Sequence, residues 1–111
     1  MDHLQDLMRR YFDAWASPYT SSGSTSVSCV IKEGAGILGG VIIATDGVSD
    51  VTVSLYDNAS EASGKKIIPT LVVPATDRYG GYILGMPGVA FTNGCYLDIT
   101  GGNGEAVVFY S

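Results

Sequence analysis

From residue 26 onward the sequence is a series of short β-rich runs separated by turn clusters, and that rhythm limits what the chain can fold into. The predicted strands are 26–32, 37–44, 51–57, 66–73, 81–86, 88–92, 95–100 and 105–110. Between them fall EGAG, TDGVSD, DNASEASGKK, DRYGG, PG, TNG and GGNGE. Gly tolerates positive φ, and Asn and Asp bond their own backbone, so these clusters are turns with a mechanism. Their spacing is that of an antiparallel sandwich or barrel. In VTVSLYD, Val51, Val53 and Leu55 alternate with Thr52, Ser54 and Tyr56, which predicts one apolar and one polar face. CYLDIT repeats the pattern, with Cys95, Leu97 and Ile99 against Tyr96, Asp98 and Thr100. ILGGVIIA and IIPTLVV are nearly continuous apolar runs, expected to be buried on both faces or to lie at a subunit contact. Pro69 lacks an N–H for a ladder and predicts an edge strand or a bulge.

Residues 2–16 have a different period. Leu4, Leu7, Met8, Tyr11 and Trp15 share one face of a 3.6-residue repeat, which predicts an amphipathic helix. Asp2 and Gln5 have the spacing of a capping box. A helix this short is marginal alone in water, so its apolar stripe must dock on something. Residues 17–25, SPYTSSGST, have the composition of a flexible linker. The chain thus divides into a helix at 1–16, a linker at 17–25 and a β-domain at 26–111, with no second helix that would make βαβ units.

The net charge of −5 and the scattering of only six basic residues argue against nucleic acid and against an anionic membrane surface as partners. No apolar run approaches the roughly 18 residues of a membrane span. The first fifteen residues carry five charges and no apolar core, so no secretory signal is expected and folding is assigned to a cytoplasm. Cys29 and Cys95 are then expected to be free thiols, with a single bridge as the alternative.

No catalytic set stands out. GAGILG, residues 34–39, matches G-x-G-x-x-G, but that motif holds a pyrophosphate only where a helix begins. Here a β-branched run follows, and a glycine-permitted hairpin is expected instead. His3 is the lone histidine, which disfavours Ser-His-Asp, Cys-His and zinc chemistry. Asp46, Asp50, Asp57 and Asp98 could form a calcium loop or a hydrolase pair, but lack the ligand spacing of the first, and Asp commonly serves turns. No cofactor or metal is expected. Tyr56, Tyr79, Tyr82, Tyr96 and Tyr110 fall on or near strands, where they pack or meet neighbouring subunits. Tyr79 and Tyr82, beside YGG, are the pair most suited to binding a surface ligand such as a sugar.

The run GAGILGGVIIAT…VTVSLYDNASEASGKKI…PGVAFTNGCYLDITGG…AVVFYS resembles small β-sandwich structural proteins of tailed bacteriophages and prophages. The resemblance covers residues 34–111 and rests on strands and turns, not on a catalytic signature. It implies an all-β, jelly-roll or Greek-key-like sandwich of about eight strands that serves as a capsid-decorating (cement) protein. It also implies a virion location after assembly in the host bacterial cytoplasm. The expected partners are copies of the chain itself, as a trimer, and the major capsid protein or another virion protein. The helix is not part of the resemblance; by its spacing it would dock through Leu4, Leu7, Met8, Tyr11 and Trp15 on a neighbouring subunit or a virion protein, with packing on its own domain as the equal alternative. A mean hydropathy of +0.24 agrees with an exposed apolar interface. A fibre- or tail-associated adaptor, or a receptor- or carbohydrate-binding module, is the alternative; a small hydrolase is a third class.

Overall fold

The computed structural model describes residues 19–84 and 87–111. The helix expected over 2–16 lies outside them. Among the described residues the strands are β1 (Thr20–Ser21), β2 (Cys29–Glu33), β3 (Gly36–Ala44), β4 (Val51–Tyr56), β5 (Lys66–Val73), β6 (Tyr79–Ile83), β7 (Val89–Phe91), β8 (Gly94–Thr100) and β9 (Glu105–Tyr110). The described residues are all-β, with two antiparallel sheets. The first has the order β1-β9-β3-β6, with β7 also beside β3; the second has the order β2-β8-β4-β5. β7 pairs with Gly36–Leu38 and β6 with Gly40–Ala44, so these two strands share one edge of β3 end to end.

Without β7 the pairs nest. β1 pairs with β9, β2 with β8, β3 with β6 and β4 with β5, as in one long hairpin laid across two sheets. GAGILG therefore does not make the expected hairpin. β2 and β3 belong to different sheets, and the glycines turn a corner between them. A strand does follow the motif, which leaves no helix start for a pyrophosphate.

Part of the stretch expected to be linker is paired. Thr20 and Ser21 form β1 along the end of β9. Ser22 donates its amide to the Val108 carbonyl at 2.9 Å, and Thr25 and Ala106 exchange amide bonds, each 2.9 Å. These bonds occupy the free edge of β9. Ser and Thr serve here as edge residues as well as coil formers.

Both sheets turn apolar residues inward to one core. It holds Leu38, Val41 and Ile43 of β3, Val51, Val53 and Leu55 of β4, Ile68 and Val73 of β5, Phe91 of β7, Cys95, Leu97 and Ile99 of β8, and Ala106 and Val108 of β9. The alternation seen in VTVSLYD and CYLDIT is the alternation observed. Pro69 meets both of its readings. β5 is an outer strand, and its register jumps between Leu71 opposite Val53 and Ile68 opposite Leu55. Pro69 and Thr70 thus stand together against Ser54, whose hydroxyl lies 2.8 Å from that of Thr70.

ILGGVIIA is not buried on both faces, because Ile42 remains 42% exposed. A second bulge explains how β3 keeps its inner face apolar. Leu38 pairs with Tyr110 and Gly40 with Phe109, leaving Gly39 as the extra residue. Without it, Leu38 and Val41 could not both point inward.

Leu55→Ala should lower unfolding free energy in urea by about 2–5 kcal/mol, because Leu55 is fully buried in a central strand. Val48→Ala, at an 82% exposed position, should change it by less than about 0.5 kcal/mol. Equal effects of the two would contradict this placement of the core.

Candidate docking surface

The outer faces of the two sheets differ in chemistry. On the second sheet the face is mixed: polar groups dominate, but Val72 is 52% exposed opposite Thr52 and Val30 is 36% exposed opposite Tyr96. The Ser54 and Thr70 hydroxyls pair there, the Lys66 ammonium donates to the Thr70 hydroxyl at 2.7 Å, and that ammonium lies 5.9 Å from the centre of the Tyr56 ring. Ser28 donates its hydroxyl to Asp98 at 3.1 Å.

On the first sheet the outward residues are apolar. Antiparallel partners share a face, so the register gives its rows. Val107, Ile42 and Gly81 form one row, and Phe109, Gly40 and Ile83 the next. Glu105, Ala44 and Tyr79 form the rim. Ile83 is 81% exposed and Tyr79 72%. Between these two side chains Gly81 contributes none, and an open groove of about 290 Å³ results, lined by Val41, Ile42, Tyr79, Gly80, Gly81 and Ile83. Gly81 is required there: its φ is 151°, and a Cβ would run into the Val41 carbonyl.

Tyr19 borders this face. A Cβ on Gly39 would lie 2.6 Å from the Tyr19 ring, and one on Gly88 would lie 2.9 Å from its hydroxyl. The ring therefore rests directly on backbone, and the two glycines permit that approach.

The structure separates the two tyrosines chosen from the sequence. They lie on opposite faces of β6: Tyr79 is exposed beside the groove, whereas Tyr82 is half-buried and packs against the core. Leu4, Leu7, Met8, Tyr11 and Trp15 lie outside the described residues. Ile83, Val107 and Phe109 were not singled out from the sequence. The available signal was EAVVFY: Ala106 and Val108 are apolar at one parity, and Val107 and Phe109 at the other. A strand apolar at both parities has an apolar outer face as well as an inner one.

The loop aspartates serve turns. Asp46 accepts the amides of Val48 at 2.8 Å and Ser49 at 3.1 Å, and these bonds hold its carboxyl below the usual value. Asp50 accepts the Ala75 amide at 2.9 Å. Asn58 closes DNASEASGKK by accepting the amides of Ser60 and Glu61, at 2.9 and 3.1 Å. Asp57 reaches further and accepts the amides of Asn93 at 2.7 Å, Thr92 at 3.1 Å and Gly94 at 3.3 Å. Among the described residues no group of three or more His, Cys, Asp or Glu side chains gathers as a metal site. Cys29 and Cys95 are free thiols, as expected. Burial, then the charges of Asp57 and Cys29, push the Cys95 thiol up to about 12.

Comparison with protein-family models, curated proteins and solved structures finds no match to this chain.

Desolvation works to raise the pKa of Asp57, but the Asn93, Thr92 and Gly94 amides and the Thr92 hydroxyl outweigh it, so the carboxyl lies below its ordinary 3.8. A depressed native pKa contributes stability above the unfolded value and loses it as pH falls through the native value. Asp57→Asn should therefore lower Tm by a few degrees at neutral pH, and should lose less on acidification below about pH 4 than the parent does. Parallel Tm–pH curves would contradict the role given to this carboxylate.

Proposed function

We propose that this chain is a non-enzymatic structural protein of a bacteriophage virion, a capsid-decorating module that self-associates and docks on the major capsid protein or another virion protein. The observation that carries this reading is the apolar outer face of the first sheet, built from Ile42, Ile83, Val107, Phe109 and Tyr79, with Ile83 and Tyr79 largely exposed beside an open groove. Apolar surface left in water is unfavourable, and a contiguous exposed patch marks an interaction site. The nested strand pairs support a jelly-roll sandwich, an architecture used by viral capsid domains and by lectins. That support is analogy of fold, so the surface chemistry has to carry the function. The sequence resemblance of residues 34–111 to phage structural proteins points the same way.

The shared architecture also admits the second reading, a fibre- or tail-tip module that binds a carbohydrate. Tyr79, beside an open groove, is the residue suited to stack on a sugar ring.

Light scattering after gel filtration separates the two. The full chain should run as a small closed oligomer, and Ile83→Asp with Tyr79→Ser should reduce it to monomer without loss of β-sheet signal. Both positions are largely exposed, so the variant should fold. A monomeric parent at high concentration would contradict self-association. If that monomer binds a glycan, and Tyr79→Ala abolishes the binding, the second reading replaces the first.

A further inference from the structure

We infer that the free edge of β6 pairs with the same edge of a second copy, antiparallel about a two-fold axis through Gly81. The inference rests on the self-association proposed above and names the contact that makes it.

The parity of β6 supplies the donors and acceptors. Leu84 donates its amide to the Gly39 carbonyl at 2.9 Å, and Thr45 donates to the Arg78 carbonyl at 2.7 Å. β6 pairs with β3 residue for residue between these bonds, so Gly80 and Tyr82 also turn their main-chain groups toward β3. Tyr79, Gly81 and Ile83 therefore turn theirs the other way. The Tyr79 amide is held by the Asp77 carbonyl at 2.8 Å. Among the described residues nothing takes the amides of Gly81 and Ile83 or the carbonyls of Tyr79, Gly81 and Ile83, and these three residues are exposed.

The other described edges are blunted. β9 is covered by β1 and by Ser22 and Thr25. β5 carries Lys66, Pro69 and register shifts. β2 carries Lys32, Glu33 and a register shift. β7 is three residues long. Charge, proline, bulges and shortness are the devices that keep an edge from pairing. β6, Tyr-Gly-Gly-Tyr-Ile, has none of them over its five residues.

The residues of this edge select a copy of itself. With Gly81 opposite Gly81, Tyr79 falls opposite the partner's Ile83, and Ile83 opposite the partner's Tyr79. Each Gly81 amide meets the other Gly81 carbonyl, and each Ile83 amide meets a Tyr79 carbonyl, so every free amide is taken. An aromatic beside a β-branched residue is a favourable cross-strand pair, and here it occurs twice. The two pairs flank the gap that the glycines leave, where the groove lies. No charged residue enters the contact. β1, the first described strand, stands at the opposite edge of the sheet, with β9 and β3 between it and β6. Pairing makes the two first sheets continuous, and their apolar outer rows run on from copy to copy. A two-fold contact uses the same patch on both subunits and closes as a dimer, where the sequence resemblance implies a trimer.

Disulfide trapping tests the register. Tyr79→Cys and Ile83→Cys are made separately, each with Cys29→Ser; Cys95 is fully buried and is kept. Directly paired Cα atoms lie about 5.5 Å apart, within disulfide reach. Position 79 lies about 14 Å from position 79 of the copy, and position 83 likewise from its own, at 3.4 Å per residue. On mild oxidation the 1:1 mixture should give a linked dimer, and neither variant alone should. Linking of either variant alone as readily as the mixture, or no linking while the parent is oligomeric, overturns the pairing and leaves self-association standing. Amide exchange on the parent chain is the second measurement. The Gly81 and Ile83 amides should slow at least about tenfold as concentration carries the protein from monomer to dimer. Rates that do not change with concentration place the edge under the chain's own residues or under nothing, and overturn the pairing. A monomeric parent overturns the inference together with the reading it rests on.

Discussion

The two sheets share one core, and the outer surfaces follow from that sharing. Leu38, Val41 and Ile43 of β3 face the same interior as Val51, Val53 and Leu55 of β4 and Leu97 of β8. A strand has a period of two, so fixing the inner residues also fixes which residues point outward. Ile42 is outward because Val41 and Ile43 are inward. The bulges at Gly39 and at Pro69-Thr70 are two of the places where the register shifts, and each lets the inner face stay apolar through the change.

The consequence differs between the sheets. On the second sheet the outward positions of β4 and β8 are the polar Thr52, Ser54, Tyr56, Tyr96 and Asp98, and the exposed aliphatics are Val30 of β2 and Val72 of β5. In β3, β6 and β9 the outward positions are Ile42, Ile83, Val107 and Phe109, which gain nothing from water. Burying apolar surface gains roughly 25 cal/mol per Å², so covering this face contributes to association once the ordering of the partner is offset. The function proposed for the chain rests on this apolar face rather than on any catalytic group. The polar groups that invited catalytic readings are used locally. Asp46 and Asn58 cap their turns, and Asp57 ties the β4–β5 loop to the turn between β7 and β8.

Much of the architecture was legible from the sequence. Six of the eight predicted strands fall within about two residues of observed ones, because Gly, Asn and Asp mark strand ends through local backbone chemistry. The exceptions are 26–32, observed only from Cys29, and 81–86, observed as Tyr79–Ile83. Pro69 announced its bulge for the same local reason. What was not legible depended on distant partners. β1 is two residues long and exists because β9 has a free edge; Thr20 and Ser21 have no strand signature of their own. The corner at GAGILG looked like a hairpin because the sequence does not state which sheet a strand joins. Tyr79 and Tyr82 were grouped by proximity in sequence, yet an odd separation along a strand places them on opposite faces. The apolar outer face was half visible, in the continuous run ILGGVIIA, and its extension onto β9 was overlooked in EAVVFY.

The central claim is that the outer face of the first sheet is buried when the protein assembles. The most direct measurement is the maleimide labelling rate of Ile83→Cys, in a Cys29→Ser background, as protein concentration is raised. Burial of the face predicts that labelling slows as the oligomer forms, while Val48→Cys, on a loop, labels at an unchanged rate. Equal rates at both positions at every concentration, with the oligomer present, would contradict the account.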